Sequence, residues 1–271
     1  MCIPEYLERN IERILTKEEQ NLPAWVSTYD GALYADFEVM KRLKNHFPKK
    51  VISRQALINL YRSDDKYLAF VASMVWGFIN GSRPLPGHKG DKRTTNLYRM
   101  LSHPAEEVEK AMRVVVPYFQ KGDFMTPYTL LDNDGPFKIQ GVGPAYFTKM
   151  FFFAGQAASD KAVPIKPLIF DNWTTNAFFA LYGQSNPDGL KEWFTFSKNK
   201  SSSLPFSTNP KKGKELYQLY VTSMNCWAES LGIRADKLEE FVFGYSKKPV
   251  RENNPRLKLE KITQDNLSLI Q

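Results

Sequence analysis

The sequence predicts a mainly α-helical protein built of two helical sub-domains. Apolar residues recur at helical spacing in segment after segment, and several of those segments are preceded by Ser, Thr, Asp or Pro, the residues that open helices. No stretch shows persistent strand alternation, a heptad array or a repeat. With 271 residues the chain can bury a substantial core and has length enough for two sub-domains.

Taken in order, Pro4 to Leu15 carries an apolar stripe through Tyr6, Leu7, Ile11 and Ile14 with acids early, which suits a short amphipathic helix. Leu22 to Tyr29 is an aromatic-containing connector. Ala35 to Phe47 reads as a helix ending before Pro48, Ser53 as the N-cap of a helix through Leu60, and Ser63-Asp64-Asp65 as a cap cluster for the next. That next helix, Tyr67 to Ile79, is apolar nearly all round and belongs in a core. Asn80 to Arg93 is a Gly- and Pro-rich loop with four basic side chains, suited to plain solvation, to DNA contact or to lining a pocket. Thr95 to Leu101 and Ala105 to Tyr118 are further helices, the second with Glu106, Glu107 and Glu109 near its start. A short helix ends at Leu131, and Asp132-Asn-Asp-Gly-Pro136 is a turn.

Beyond residue 171, Asn172 to Tyr182 is aromatic and helical, Gly183 to Asn186 breaks it, and Pro187-Asp-Gly189 opens a helix through Phe196. Ser197 to Lys214 is a basic loop or linker suited to phosphate contact. Glu215 to Leu231 is a long helix stopped at Gly232, and Ala235 to Tyr245 is another with alternating charges. Lys247 to Gln271 is a basic tail whose Leu-Ser-Leu-Ile ending suggests a docked segment.

A net charge of +8 and a pI near 9.2 favour a polyanionic partner. Cys2 and Cys226 offer neither a disulfide framework nor metal spacing, and His46, His88 and His103 lack ligand spacing. No apolar run reaches transmembrane length and the N-terminus has no signal-peptide character, so a soluble, cytoplasmic protein is expected.

The stretch with the most information is Ile139-Gln-Gly-Val-Gly-Pro-Ala145, followed by a second apolar helix through Ala154 whose only charge is Lys149. Gly141 and Gly143 permit a turn that residues with a Cβ would strain to make, and Pro144 suits a first helical position. A hairpin ahead of a helix start presents backbone N–H groups to an anion such as one DNA phosphate. These residues alone equally describe a plain αα-hairpin. After a loop comes Pro167-Leu-Ile-Phe-Asp-Asn-Trp-Thr174, an apolar run ending in Asp171 at the start of an aromatic helix.

Together these stretches resemble the helix-hairpin-helix DNA glycosylases, which carry a Gly/Pro-rich loop and a catalytic aspartate. The resemblance is specific from about Ile139 to Ala177 and architectural elsewhere. Gln140 stands where the family usually has proline. Asp171 follows Gly143 after 28 residues (171 − 143), a long interval whose excess lies in Gln156 to Lys166. The resemblance implies two helical sub-domains with the active-site cleft between them: residues 64–155 as a six-helix-barrel-like domain ending in the hairpin motif, and residues 1–63 with 156–271 as a second domain made by both chain ends. It implies Asp171 as the catalytic residue and Gly141, Val142, Gly143, Ala145 and Lys149 as contacts to the DNA backbone. Two cysteines rule out the four-cysteine iron–sulfur cluster of some members. No cofactor is implied, a monovalent cation at the hairpin being the one ion the motif admits.

Cleavage of an N-glycosidic bond builds positive charge on the sugar, which a nearby carboxylate stabilises while orienting the attacking water. Asp171 lies between Phe170 and Trp173, in half-apolar surroundings that strengthen its field. An aspartate there is also an ordinary N-cap, and the two roles are compatible. Bifunctional relatives place a Schiff-base lysine two residues past the second hairpin glycine; here that position is Ala145, so the resemblance implies a monofunctional enzyme. Lys149, one turn on, binds phosphate or reaches the sugar in such a scheme. A flipped base needs apolar or aromatic walls, for which Trp76, Tyr146, Trp173, Trp193 and Trp227 are candidates and Trp173 is preferred; core packing is the competing role for each.

The expected partner is DNA, double-stranded, bound by a monomer, with no membrane involved. The resemblance extends to prokaryotic proteins of the oxoguanine-glycosylase fold that include phage-defence members, and so to two substrate classes: a bulky modified cytosine of phage DNA, or oxidised guanine. A non-catalytic hairpin-motif DNA-binding protein and a helical scaffold of incidental charge remain as readings from other classes.

Overall fold

Several helices begin where the sequence supplies an oxygen to cap them. In the computed structural model, which describes residues 2–16, 21–22, 32–49, 51–77, 87–88, 90–158, 165–197, 204–244 and 254–270, Ser53 accepts from the Ala56 N–H (3.1 Å), Asp65 from Leu68 (3.0 Å) and Thr95 from Tyr98 (3.2 Å). Each satisfies a donor that a first helical turn leaves over. The protein is mainly α. It divides into two compact units: Met1–Glu18 with Leu168–Gln271 form one, and Glu19–Pro167 the other.

The first unit begins with α1 (Glu5–Glu8) and α2 (Ile11–Leu15), two short helices where one was expected; Asn10 interrupts them. The Trp227 indole N–H donates to the Cys2 carbonyl (3.1 Å), which ties the chain start to this unit.

The second unit contains β1 (Asn21–Leu22) paired antiparallel with β2 (Ile52–Ser53), and helices α3 (Ala32–Ala35), α4 (Glu38–His46), α5 (Arg54–Arg62), α6 (Lys66–Trp76), α7 (Asn96–Leu101), α8 (Ala105–Gln120), α9 (Met125–Leu131) and α10 (Pro144–Ala157). The helix expected over Ala35–Phe47 starts at Glu38, because Phe37 is extended as its N-cap and meets the Tyr98 ring edge-on (5.6 Å). Every residue of α6 from Tyr67 to Trp76 is buried, as an all-round apolar helix requires. It packs with α5 and α10. There the Arg54 guanidinium lies over Phe152 (4.8 Å) and Trp76 (5.7 Å). Phe119, Tyr128, Phe147 and Phe151 close the far side of α10. Each fully buried phenylalanine here contributes on the order of 1.5–3 kcal/mol. Residues 19–63 therefore cluster with 64–167, and the expected boundary at 63/64 falls between α5 and α6, which pack on each other.

The first unit resumes with α11 (Asn172–Ser185), α12 (Leu190–Trp193), β3 (Phe194–Phe196), β4 (Phe206–Thr208), α13 (Gly213–Ser230), α14 (Ala235–Phe243) and α15 (Pro255–Asn266). Phe178 sits among Tyr182, Phe194, Tyr220 and Trp227, and Phe179 stacks on Phe206 at 4.2 Å. Two expectations are corrected. Gly183 does not break α11: it lies inside the helix, where a Cβ would overlap the Asn266 side chain, and so serves close packing against α15. The helix expected through Phe196 ends at Trp193, and Phe194–Phe196 pairs with Phe206–Thr208 because its phenylalanines pack as strand residues. The C-terminal Leu267 and Ile270 are buried, as a docked ending requires.

Candidate active site and nucleic-acid interface

In the second unit, α9 and α10 flank the glycine turn. Val142 is buried and its N–H donates to the Ile139 carbonyl (3.1 Å). Gly141 has φ +78°, and a Cβ there would overlap the backbone of Asn96. Both facts demand glycine. Gly143 is different. Its backbone is extended (φ −102°, ψ −176°), and among the described residues nothing lies within 4 Å of where a Cβ would stand. The expectation that both glycines serve the turn thus holds for Gly141, whereas Gly143 leaves open space before the helix.

Pro144 is the first residue of α10, and the N–H groups of Tyr146 and Phe147 return to the Gly143 carbonyl (2.9 and 3.0 Å). No side chain among the described residues caps this start. Among the described residues, the N–H groups of Gly143 and Ala145 donate to no protein acceptor. The electropositive end of this 14-residue helix is thus left, among the described residues, without a protein anion.

Three other expected site residues lie in this unit. Lys149 is buried; its Nζ donates to the Ala145 carbonyl (2.6 Å) and lies 5.5 Å from the Tyr146 ring centre. Gly77 makes room for its methylenes, so Lys149 runs inside the unit rather than along a phosphate-facing surface. Trp76 meets Phe153 edge-on (5.0 Å) in the core. Tyr146 is half-buried in the first turn of α10.

In the first unit, a largely buried segment without regular structure leads to α11. The Tyr217 hydroxyl donates to the Leu168 carbonyl (3.0 Å), the Ile169 N–H donates to the buried Glu239 carboxylate, and Phe170 packs on Tyr217 and Tyr220. Asp171 is thereby delivered to the helix start. Its Oδ1 accepts from the N–H groups of Trp173 (2.9 Å) and Thr174 (3.2 Å), while its own N–H donates to the Thr174 hydroxyl (2.9 Å). This is a closed capping box. Asp171 is half-exposed.

Behind it, burial pushes the Tyr220 hydroxyl pKa well above its ordinary value; the charges of Glu239, Tyr217 and Asp171 push the same way, and Thr174 opposes them.

Beside it stands a cation that sequence reasoning missed. The Arg256 guanidinium lies between Trp173 (4.3 Å) and Phe243 (4.4 Å), and its Nε donates to the Phe243 carbonyl. Burial lowers its pKa, while Asp171 and Glu260 act to raise it. Trp173 is 36 % exposed. It also lines an open groove of about 410 Å³ with Asn176, Glu260, Lys261, Thr263 and Gln264. Of the remaining aromatic candidates, Trp227 is core and Trp193 carries Lys212 over its ring (5.0 Å). Neither Arg256 nor Glu239 sits in a recognisable motif; the one hint at Arg256 was the preceding Asn-Pro, which opens α15.

The expectations for residues 80–86, for 159–164 within the long interval, and for 198–203 and 247–253 in the basic stretches lie outside the described residues. Among the described residues no cluster of three His, Cys, Asp or Glu side chains could hold a metal, and no helix is long and apolar enough to cross a membrane.

A protein-family model described as "Putative 8-oxoguanine DNA glycosylase OGG-like protein" matches residues 16–243, a span that includes both the α10 start and Asp171. No curated protein and no solved structure gives a match.

Proposed function

The chain belongs to the 8-oxoguanine DNA glycosylase OGG-like family, and on that premise we propose that it is a monofunctional DNA glycosylase that flips a modified base out of duplex DNA and hydrolyses its N-glycosidic bond. The observation that carries this reading is the capping box, which holds the half-exposed Asp171 carboxylate at the start of α11 beside the exposed ring of Trp173. A carboxylate fixed before the substrate arrives stabilises an oxocarbenium-like sugar without paying for reorganisation. The turn at Gly141–Ala145 is the backbone-phosphate contact through its unused N–H groups, and a monovalent cation would sit there if one is bound.

Ala145 supports the monofunctional assignment, as does Lys149, whose amine is directed to the Ala145 carbonyl. The base we favour is a bulky modified cytosine of phage DNA, such as a glucosylated hydroxymethylcytosine, which would make the protein an anti-phage enzyme acting as a cytoplasmic monomer. The groove beside Trp173 supports this choice, with room for more than a base and with amide, carboxylate and amine groups to bond a sugar. The family description favours 8-oxoguanine instead.

The test is incubation with duplexes carrying each base, followed by mass spectrometry for released base. Release of glucosylated cytosine alone is expected. Release of 8-oxoguanine alone would reverse the substrate order, and release of no base from a wide panel of modified DNAs would reject the glycosylase reading.

A further inference from the structure

Arg256 lies beyond the residues that match the family, yet it is built into the Asp171 site. Its position is held from several sides. Asn254, fully buried, accepts from the Arg256 backbone N–H (3.1 Å), and Gly244, at φ +69°, leaves room for the Arg256 side chain that a Cβ would crowd. Rings cover the guanidinium at Trp173 and Phe243, and Nε is spent on the Phe243 carbonyl. What is left is the Nη edge. Among the described residues, the Nη groups donate to no acceptor, and Arg256 forms a direct ion pair with neither Asp171 nor Glu260. A half-buried guanidinium so fixed, with its fork unused, is arranged to receive a planar or tetrahedral oxyanion in two parallel bonds.

We propose that Arg256 binds a DNA backbone phosphate adjoining the nucleotide whose base is released, an inference that rests on Asp171 being the catalytic carboxylate. The carboxylate must lie against the sugar of that nucleotide, and the flanking phosphates are bonded to the same sugar. The cation beside Asp171 therefore meets a phosphate as the sugar seats. Stacking on Trp173 keeps the fork in one plane, so little side-chain freedom is lost when it binds. Arg256 thereby fixes the strand register that brings the sugar to Asp171, while base identity is read elsewhere.

The test is a double-substitution cycle between protein and DNA. Affinities of wild type, Arg256→Gln and Arg256→Lys are measured on a modified-base duplex and on copies in which one phosphate at a time is replaced by a neutral methylphosphonate. Arg256→Gln should weaken binding to the unmodified backbone roughly ten-fold, and should lower the slope of log affinity against log salt by about 0.9. At one position flanking the modified nucleotide, the methylphosphonate should erase the difference between wild type and Arg256→Gln. Arg256→Lys, which keeps the charge and more of the packing, should show a smaller loss erased at the same position, and it serves if the Gln variant folds poorly.

Losses that simply add at every position would overturn the proposal. Base release measured in parallel separates the two ideas: normal release with no coupled phosphate removes the role of Arg256 alone. A coupled phosphate with no release of any base removes the glycosylase reading and leaves the phosphate site standing.

Discussion

Helices α10 and α11 are alike in most respects and opposite in their first turn. Each has 14 residues and is buried along most of its length, and each opens from an extended N-cap residue. Both therefore concentrate partial positive charge at the start. At α11 the protein answers that charge itself: Asp171 and Thr174 close a reciprocal capping box. At α10, among the described residues, no side chain caps the start, nothing lies within 4 Å of where a Gly143 Cβ would stand, and two N–H groups meet no protein acceptor. One start is a place for an anion from outside. The other holds an anion of the protein's own. On the reading proposed here, the first grips DNA and the second acts on it.

The largest structural effect that could break this comparison lies within the turn. Gly141→Val places a β-branched residue in left-handed backbone against Asn96, and should destabilise the protein by roughly 2–4 kcal/mol, read by denaturant unfolding. A stable Gly141→Val protein would mean that the turn is not under the stated constraint.

Gly143→Val should instead leave stability unchanged, since its backbone is extended and the space before it is empty. Its cost should fall on DNA: roughly ten-fold weaker binding, alike for all sequences because phosphate contacts do not read bases. A loss confined to one sequence, or a stability loss as large as that of Gly141→Val, would erase the distinction between the two glycines.

At α11, Thr174→Val removes the hydroxyl that accepts from the Asp171 N–H. A loss of about 1 kcal/mol is expected, together with slower base release as the carboxylate loosens. Unaltered release with the cap weakened would detach the chemistry from the capping box.

The smallest effect concerns the stability of the unit that carries α11. Burial raises the Tyr6 hydroxyl pKa to about 12, partly offset by Arg13, and among the described residues that hydroxyl has no hydrogen-bond partner. Its protonated form is favoured in the fold, so its contribution is complete below the unfolded value near 10 and is lost as pH rises through about 12. Tyr6→Phe should flatten the alkaline fall in stability without lowering stability at neutral pH. A steeper alkaline fall in that variant would contradict the assignment.

Local chemistry made much of this legible in the sequence. Ser53, Asp65 and Asp171 are caps where cap residues were expected, because a helix start is decided within four residues. The buried α6 and α10 were legible for the same reason, being apolar all round. What escaped depends on partners far along the chain. Gly183 looks like a breaker until Asn266 is seen against it, and Phe194–Phe196 looks helical until Phe206–Thr208 pairs with it. Lys149 reads as a phosphate contact, yet its side chain is buried with Gly77 alongside it. Arg256 joins Asp171 from 85 residues away (256 − 171), and only tertiary packing brings Trp173 and Phe243 onto it.

The most direct measurement is single-turnover base release by Asp171→Asn. Asparagine caps a helix about as well as aspartate, so the fold and α11 should persist, and DNA affinity should stay within a few-fold of wild type. Only the charge opposite the developing sugar cation is removed, and release should fall by about a hundred-fold or more. Wild-type release rates from Asp171→Asn, with DNA still bound, would contradict the assignment of Asp171 and with it the account of α11.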